Sequence, residues 1–246
     1  MTTALAITAL RKSFGGVPAA DGITLEVAQG ERRLIIGPNG AGKTTLFNLI
    51  SGDLRADSGS VRLFGEEVSR LRPDQRAHRG VARTYQILTL FHGSTLARNI
   101  VLGLLGLSRS RWQMFTPLQR RHDLQERARA VLAKVGLEGE ADRLVSEVSY
   151  GEKRRLEIAM ALAQQPRLLL LDEPLAGLSA GERRAILALL EEIPRDITIV
   201  MIEHDIDTAL AFAERITVLH YGSVIVEGTR AEVVADARTR EIYLGA

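Results

Sequence analysis

A glycine-rich segment, GPNGAGKT at residues 37–44, has the spacing of a phosphate-binding loop (P-loop). The apolar run RRLII precedes it and TTLFNLIS follows, so we expect it to join a buried strand to a helix. In such loops backbone N–H groups surround the phosphates, while the lysine and the hydroxyl reach phosphate oxygens and Mg²⁺. Here these residues are Lys43 and Thr44, and a chance glycine-rich turn is the alternative. The predicted nucleotide-binding residues are Gly37, Pro38, Asn39, Gly40, Ala41, Gly42, Lys43, Thr44 and Thr45.

Two adjacent carboxylates end the apolar segment LLLLDEP. A buried strand ending at Asp172 would bring this carboxylate beside the P-loop, where it could hold Mg²⁺. Glu173 would then be placed to orient and polarise the water that attacks a phosphate. Taken alone, an acidic pair at a strand end is as often a turn or a helix cap. The P-loop in the same chain favours the catalytic interpretation.

Two more polar residues follow the same pattern. His204 ends the apolar strand VMIEH, and Gln86 stands in RTYQ at a predicted junction of strand and helix. Parallel sheets gather ligand residues at the carboxyl ends of their strands, so His204 could bond a γ-phosphate. The Gln86 amide could ligate Mg²⁺ or the attacking water. A packed or solvated side chain is the simpler alternative for both residues.

The segment SYGEKRR predicts the start of a helix. Ser149 and Glu152 have the spacing of a capping box, which satisfies free N–H groups at a helix start. A helix N-terminus also attracts anions, because it carries partial positive charge and unpaired donors. The segment is therefore either a simple cap or a cap that also binds a phosphate.

The elements that must position these residues suggest an α/β fold. Up to about residue 65 the pattern predicts short strands, and from Arg72 to Arg167 it is mainly helical. After Pro166, continuous apolar strands alternate with helices, which is typical of a parallel sheet covered on both faces. The segment ITVLHYGSVIVEGT predicts two strands around a turn at Tyr221 and Gly222, followed by a short helix.

Composition excludes several classes of protein. The chain has 246 residues, 46% of them hydrophobic, which is enough for one domain with a large core. Its apolar runs are too short to span a bilayer, and the N-terminus lacks the features of a secretory signal, so we expect a cytoplasmic protein. The absence of cysteine excludes disulfides, and a net charge of +2 gives no electrostatic reason to expect nucleic acid binding.

The order of these motifs resembles that of the ATP-binding cassette (ABC) ATPases: GPNGAGKT, Gln86, SYGEK, LLLLDEP and His204. The resemblance implies a P-loop NTPase core with a mainly parallel sheet, an N-terminal antiparallel β subdomain and an inserted helical subdomain. It implies one ABC ATPase domain over residues 1–246, with the core and β subdomain in 1–86 and 166–246 and the helical signature subdomain in 87–165. The expected cofactors are ATP and Mg²⁺.

The resemblance also implies roles for single residues. Phe14 would stack on adenine, although an ordinary core phenylalanine is the alternative. Glu173 would be the catalytic base, assisted by Lys43 and His204, and the metal site would be formed by Thr44, Gln86 and Asp172. The signature motif Ser149, Tyr150, Gly151 and Glu152 would face the γ-phosphate of ATP bound to the P-loop of a second subunit.

Two residues depart from the pattern of the family. Tyr150 stands where many members have a second glycine in the signature motif, and Ser179 stands where the D-loop usually has aspartate. The first is tolerable, because the phosphate contacts would come from Ser149 and backbone N–H groups. Ser179 leaves open whether the D-loop communicates across the dimer.

Longer stretches resemble the ATPase subunits of branched-chain amino acid importers, among them ARTYQILTLFHGSTLARNIVLGL and IEHDIDTALAFAERITVLHYGSVIVEGT. This resemblance implies permease subunits, a second ATPase subunit that is identical or a paralogue, and indirectly a solute-binding protein. It places the chain on the cytoplasmic face of the inner membrane, held there by the permease. Trp112 and Phe115, in an arginine-rich insertion, would lie near lipid headgroups or the permease unless the insertion is simply solvated. An ABC ATPase acting on nucleic acid or the ribosome, and a regulatory module that holds ATP, are the alternatives.

Overall fold

Two β-sheets organise the chain, whose computed structural model describes residues 2–108, 121–204 and 212–244. The strands are β1 (Thr3–Phe14), β2 (Val17–Ala28), β3 (Arg32–Ile36), β4 (Ser58–Leu63), β5 (Glu66–Glu67), β6 (Val81–Arg83), β7 (Leu168–Asp172), β8 (Thr198–Ile202), β9 (Arg215–His220) and β10 (Ser223–Gly228). The helices are α1 (Lys43–Ser51), α2 (Pro73–Ala77), α3 (Leu96–Gly106), α4 (His122–Lys134), α5 (Tyr150–Ala163), α6 (Ala180–Glu191), α7 (Arg230–Ala235) and α8 (Ala237–Leu244).

The first sheet is antiparallel, with strand order β2-β1-β4-β5. The second has the order β10-β9-β3-β8-β7-β6, in which β9, β3, β8, β7 and β6 are parallel and only β10 runs against its neighbour. This arrangement confirms the predicted fold class. The turn at Tyr221 and Gly222 joins β9 to β10, as the sequence indicated.

The parallel sheet separates two hydrophobic clusters. Every residue of β3, β7 and β8 is buried, which explains why these strands are apolar without alternation. Leu169 and Leu171 face a cluster that includes α3, α4 and α5, whereas Leu168 and Leu170 face α1 and the antiparallel sheet. Each face of the sheet is therefore covered, and its strand ends are fixed between two packed layers.

Helices α3, α4 and α5 lie between β6 and β7 in the chain and pack against one another. These helices agree with the mainly helical interpretation of residues 72–167. The same segment also contains the short strand β6, whose range had not been predicted. The domain boundaries at residues 86 and 165 stay a prediction. Among the described residues, no helix combines the length and the apolar composition that a membrane span needs.

Two predictions fall outside the described residues. The helix expected in DIDTALAFAER includes residues 205–211, and the contacts expected for Trp112 and Phe115 belong to residues 109–120. Both predictions remain as the sequence analysis states them.

Candidate active site

The carboxyl ends of three adjacent strands meet at one edge of the parallel sheet. In register, Asp172 of β7 lies opposite Ile202 of β8, and Ile202 lies opposite Ile35 of β3. Strand β3 is followed by the P-loop, β7 by Glu173, and β8 by Glu203 and His204. The sheet therefore brings segments far apart in the sequence to one place, as expected for a site at the end of parallel strands.

The P-loop connects β3 to α1, which begins at Lys43. Gly42 precedes the helix with φ near 99°, a conformation that favours glycine. A Cβ atom at Gly42 would also collide with the carbonyl oxygen of Ala19 in β2. A cleft of about 400 Å³ opens over the loop and is lined by Ala19, Asn39, Gly40, Ala41, Gly42, Lys43, Thr44, Thr45, Gln86 and Glu173.

Lys43 folds back onto its own loop. Its Nζ donates to the carbonyl oxygens of Gly37, at 2.6 Å, and Pro38, at 3.1 Å. Burial lowers the pKa of Lys43, while the negative charges of Glu173 and Asp172 act in the opposite direction. A bound phosphate would give this buried ammonium group a charged acceptor in place of two neutral carbonyl groups.

Asp172 is buried between the sheet and an arginine. Its Oδ2 accepts a hydrogen bond from Arg83 Nη2 at 2.9 Å, and its backbone N–H donates to Thr84 Oγ1. Burial raises the pKa of Asp172, and the hydrogen bond and charge of Arg83 act against this rise. Its other oxygen, Oδ1, is buried with no hydrogen-bond partner. An unsatisfied buried carboxylate oxygen is costly, so this atom suits a ligand such as a metal or its water.

Mg²⁺ fits the residues present. Among the described residues, no three histidine or acidic side chains gather around one point. Mg²⁺ is usually held by one or two carboxylates together with phosphates and water, so such a cluster is not required. Asp172 offers an oxygen without a hydrogen-bond partner, and its neighbour in the chain, Glu173, lines the cleft together with Thr44 and Gln86.

Glu173 contacts two other predicted site residues. Its Oε2 accepts a hydrogen bond from Gln86 Nε2 at 3.0 Å and lies 3.7 Å from His204 Nδ1. Its backbone N–H donates to the carbonyl oxygen of Ile202, and its φ of 48° is unusual for a residue other than glycine. Backbone strain of this kind is concentrated at functional sites, where the surrounding structure holds it in place. Gln86, Glu173 and His204 are thus linked through one carboxylate, and Lys43, Gln86 and Glu173 line the cleft.

The signature residues lie elsewhere in the described structure, because the cleft lining does not include Ser149 to Glu152. Ser149 caps α5: its backbone N–H donates to Glu152 Oε2 at 2.7 Å, and its Oγ accepts from Glu152 N. This confirms the predicted capping box. Ser149 and Tyr150 are exposed, so the start of α5 is open to a ligand brought by another chain.

Phe14 ends β1 and is 48% exposed. The alternative interpretation, an ordinary core phenylalanine, is therefore wrong. The Nζ of Lys12 lies 5.6 Å from the centre of its ring, and the following strand supplies Ala19 to the cleft. A half-exposed aromatic ring of this kind suits stacking on a planar base.

Sequence reasoning missed several polar residues that support the site. Arg83 pairs with Asp172, and the buried carboxylate of Glu203 accepts hydrogen bonds from the backbone N–H groups of Leu175 and His204. Burial raises the pKa of Glu203. The only sequence signal was position, since Arg83 precedes Gln86 by three residues and Glu203 precedes His204 by one.

Two larger clefts, of about 490 and 950 Å³, lie away from these residues. Both are lined in part by Gln165 and Arg167, which precede β7 at the amino ends of the strands. None of the predicted site residues lines either cleft. The smaller cleft over the P-loop is therefore the one that the chemistry supports.

Comparisons with known proteins agree with the geometry. The family described as ABC transporter matches residues 20–176. The high-affinity branched-chain amino acid transport ATP-binding protein BraF of Pseudomonas aeruginosa is 34% identical, covering 98% of this chain and 97% of that protein. A crystal structure of the ADP conformation of an ATP-binding cassette of an ABC transporter has a TM-score of 0.89 at 32% identity and covers 100% of both chains. The dimeric structure of a post-hydrolysis state of an ATP-binding cassette, bound to ADP and Pi, has a TM-score of 0.79 at 26% identity and covers 92% of this chain and 98% of that one.

Proposed function

The chain belongs to the ABC transporter family as an ABC ATPase, and we propose that it powers a membrane importer for branched-chain amino acids or a related small solute. One observation carries the proposal: the P-loop, Gln86 and Glu173 line a single cleft at the edge of the parallel sheet. The similarity to BraF over nearly the whole chain supports the class of solute.

ATP would bind with its phosphates on the P-loop. Backbone N–H groups of residues 37–45 and Nζ of Lys43 would contact the phosphate oxygens, and Phe14 would stack on adenine. Thr44, Gln86 and Asp172 would hold Mg²⁺, and the unpartnered Oδ1 of Asp172 supports this assignment. Mg²⁺, when bound, supplies positive charge that neutralises the phosphates during transfer.

Glu173 would act as general base for hydrolysis. Its carboxylate borders the cleft, where it would orient a water molecule and accept its proton as the water attacks the γ-phosphorus. The hydrogen bond from Gln86 would fix one carboxylate oxygen, and His204, which lies 3.7 Å from the same carboxylate, would contact the γ-phosphate. The strained backbone of Glu173 supports a role that requires this one orientation.

A second subunit would complete each site. Ser149 to Glu152 would contact the γ-phosphate of ATP on the partner's P-loop, because the exposed N-terminus of α5 offers N–H donors and positive potential to an anion. ATP would favour the closed dimer only through contacts made in that state, and hydrolysis would remove them. One similar cassette has been solved as a dimer, and the partner here would be an identical chain or a paralogue.

The permease would dock beside Gln86. The segment after Gln86 exposes two large apolar side chains, Ile87 at 80% and Phe91 at 57%, which an isolated protein has little reason to leave in water. They lie at the predicted boundary between the core, residues 1–86 and 166–246, and the helical signature subdomain, residues 87–165. Docking here would hold the chain on the cytoplasmic face of the membrane and link it indirectly to a solute-binding protein.

Solute uptake by proteoliposomes tests the proposal. The chain is assembled with candidate permease subunits and a candidate second ATPase subunit, and uptake of labelled leucine, isoleucine and valine is measured with a solute-binding protein for these amino acids. We expect uptake that requires ATP on the side of the ATPase. Glu173→Gln is the matched control, because it keeps the shape of the side chain but removes the base. Equal uptake with this variant, or turnover stimulated by DNA or ribosomes and not by the permease, would contradict the proposal.

A further inference from the structure

A buried ion pair joins α5 to the backbone immediately before Gln86. Arg154 and Glu157 are 0% and 6% exposed, and their side chains meet at 2.7 Å. The N–H of Tyr85 donates to Glu157 Oε1 at 3.1 Å, and the carbonyl oxygen of Tyr85 accepts from Arg154 Nη1 at 3.2 Å. Both peptide groups of the residue preceding Gln86 are therefore held by one helix.

The same arginine contacts the signature motif. Arg154 Nη2 donates to Tyr150 Oη at 3.4 Å, and its guanidinium carbon lies 5.9 Å from the centre of the Tyr150 ring. The same ring also lies close to Gly177, where a Cβ atom would be 3.3 Å from Tyr150 Cε1. Gly177 belongs to the loop between Glu173 and Ser179. Tyr150, which departs from the family pattern, thus connects the pair to a third segment.

A buried pair of this kind is better suited to fixing geometry than to adding stability. Removing two charges from water is costly, and well-packed apolar residues often stabilise a core as well or better. The pair is tolerated here because both charged groups also bond the peptide groups of Tyr85. Those bonds have direction, so they fix Tyr85 and Gln86 relative to α5 in a way that apolar contacts would not.

We propose that Arg154 and Glu157 are positioning residues that make Gln86 and the N-terminus of α5 move as one unit. This inference rests on the proposed function. Gln86 lines the cleft that would hold the nucleotide of its own chain, whereas Ser149 would bind the phosphate on the partner. Through this pair, ATP bound to one chain sets the position of the N-terminus of α5 in that chain. The ATP site of the partner requires this N-terminus. Replacing these residues should therefore weaken closure of the dimer and leave the affinity for the nucleotide unchanged.

The test uses ATP-driven dimerisation of the full chain in a Glu173→Gln background, where hydrolysis does not reverse the complex. Dimer dissociation constants are measured by sedimentation, and the affinity of the monomer for ATP is measured after adding Ser149→Arg. Arg154→Met should weaken dimerisation at least tenfold and change monomer affinity less than twofold. Arg155→Met is the matched control, since the neighbouring arginine of α5 donates to the carbonyl groups of Val135 and Gly136 instead of Tyr85. It should change dimerisation less than twofold.

A second variant separates positioning from general stability. Arg154→Met leaves the buried carboxylate of Glu157 without its partner, so its thermal midpoint should fall. Arg154→Met/Glu157→Leu removes both charges and should recover the midpoint while dimerisation stays at least tenfold weaker. Dimerisation that recovers together with the midpoint would overturn the inference, as would undiminished dimerisation of Arg154→Met. If the Glu173→Gln parent itself fails to dimerise with ATP, the proposed function falls, and this inference falls with it.

Discussion

Asp172 shows how one residue's surroundings decide what it can do. A carboxylate inside a sheet tends to become protonated, because burial disfavours its charge. Arg83 opposes this effect with a charged hydrogen bond at 2.9 Å, and itself donates to Asn48, Ser51 and Asp53. Arg83 therefore favours the ionised form of Asp172, and the Oδ1 atom has no hydrogen-bond partner. A metal site needs both properties in the same carboxylate.

Replacement of Arg83 tests this argument. Arg83→Met should raise the pKa of Asp172 further, so that more of the carboxyl group is neutral and binds Mg²⁺ weakly. We expect the Mg²⁺ concentration for half-maximal binding of a fluorescent ATP analogue to rise at least tenfold. The defect should become smaller as the pH increases, because a higher pH restores the ionised form. Loss of one partner of a buried pair should also lower the free energy of unfolding by about 3–5 kcal/mol.

Arg83→Lys is the matched control for this experiment, since it keeps the charge but not the forked set of donors. It should retain most of the Mg²⁺ dependence of the parent. A Met variant with unchanged Mg²⁺ dependence at every pH would show that Asp172 does not require its arginine.

Residues in local patterns could be predicted from the sequence, whereas those in long-range contacts could not. Lys43 and Ser149 stand in motifs whose spacing reflects a loop or a helix start. Arg83 and Tyr85 find their partners 89 and 72 residues away, at Asp172 and Glu157. No local pattern reports such a contact, because it depends on how strands and helices assemble.

At the scale of elements, the capping box is the recurring device. A serine or threonine immediately precedes each of helices α5, α6 and α7, and its hydroxyl accepts a hydrogen bond from the backbone N–H of the third helical residue. That residue is a glutamate in each helix, and its carboxylate accepts a hydrogen bond from the backbone N–H of the capping residue. Ser179 caps α6 in this way, with Oγ donating to Glu182 Oε2 at 2.6 Å. Ser179 thus has a structural role as the N-cap of α6. The usual aspartate of the D-loop could fill the same role, because serine and aspartate are both strong N-cap residues.

Removal of this cap gives a prediction for α6. Ser179→Ala should lower the free energy of unfolding by about 1 kcal/mol, since the N–H of Glu182 loses its acceptor. Chemical denaturation would measure the change. Ser179→Asp restores an acceptor and should recover part of the loss. If Ser179→Ala is as stable as the parent, the cap contributes nothing in this context.

The capping carboxylate of α7 gives a prediction about pH. Hydrogen bonds from Thr229 hold the pKa of Glu232 below its ordinary value of 4.5. A depressed pKa contributes stability above the unfolded value, and this stability is lost as pH falls through the folded value. The difference in unfolding free energy between the parent and Glu232→Gln should therefore shrink as pH falls below about 4.5. A difference that stays constant between pH 6 and pH 3 would contradict this.

Elements with continuous apolar strands were predictable, and β6 was not. β7 and β8 are fully buried runs of five residues, so composition alone indicates them. β6 has three residues, and one of them is the charged Arg83. It is a strand because it pairs with Leu168–Leu170 of β7, which is a tertiary effect that a short sequence window does not contain.

At the scale of the whole molecule, the proposed function divides each phosphate site between two separate parts of the chain. The cleft over the P-loop is at the edge of the parallel sheet, and its lining lacks the exposed Ser149. If each active site combines the P-loop of one chain with Ser149 of another, turnover per molecule must rise with protein concentration. A rate that is proportional to concentration down to the lowest detectable amount would contradict this arrangement.

Mixing two inactive variants gives the sharpest form of this prediction. Lys43→Ala destroys the P-loop contact and Ser149→Arg blocks the signature motif, so each variant alone should lack turnover. A heterodimer of the two has one site with both defects and one site with an intact P-loop facing an intact Ser149. Equal amounts should therefore recover about a quarter of the parental rate if the sites act independently. A mixture of Lys43→Ala with Lys43→Ala/Ser149→Arg is the control and should stay inactive, since it offers no intact P-loop. An inactive test mixture, with heterodimers demonstrated by sedimentation, would mean that the two parts do not combine across the interface.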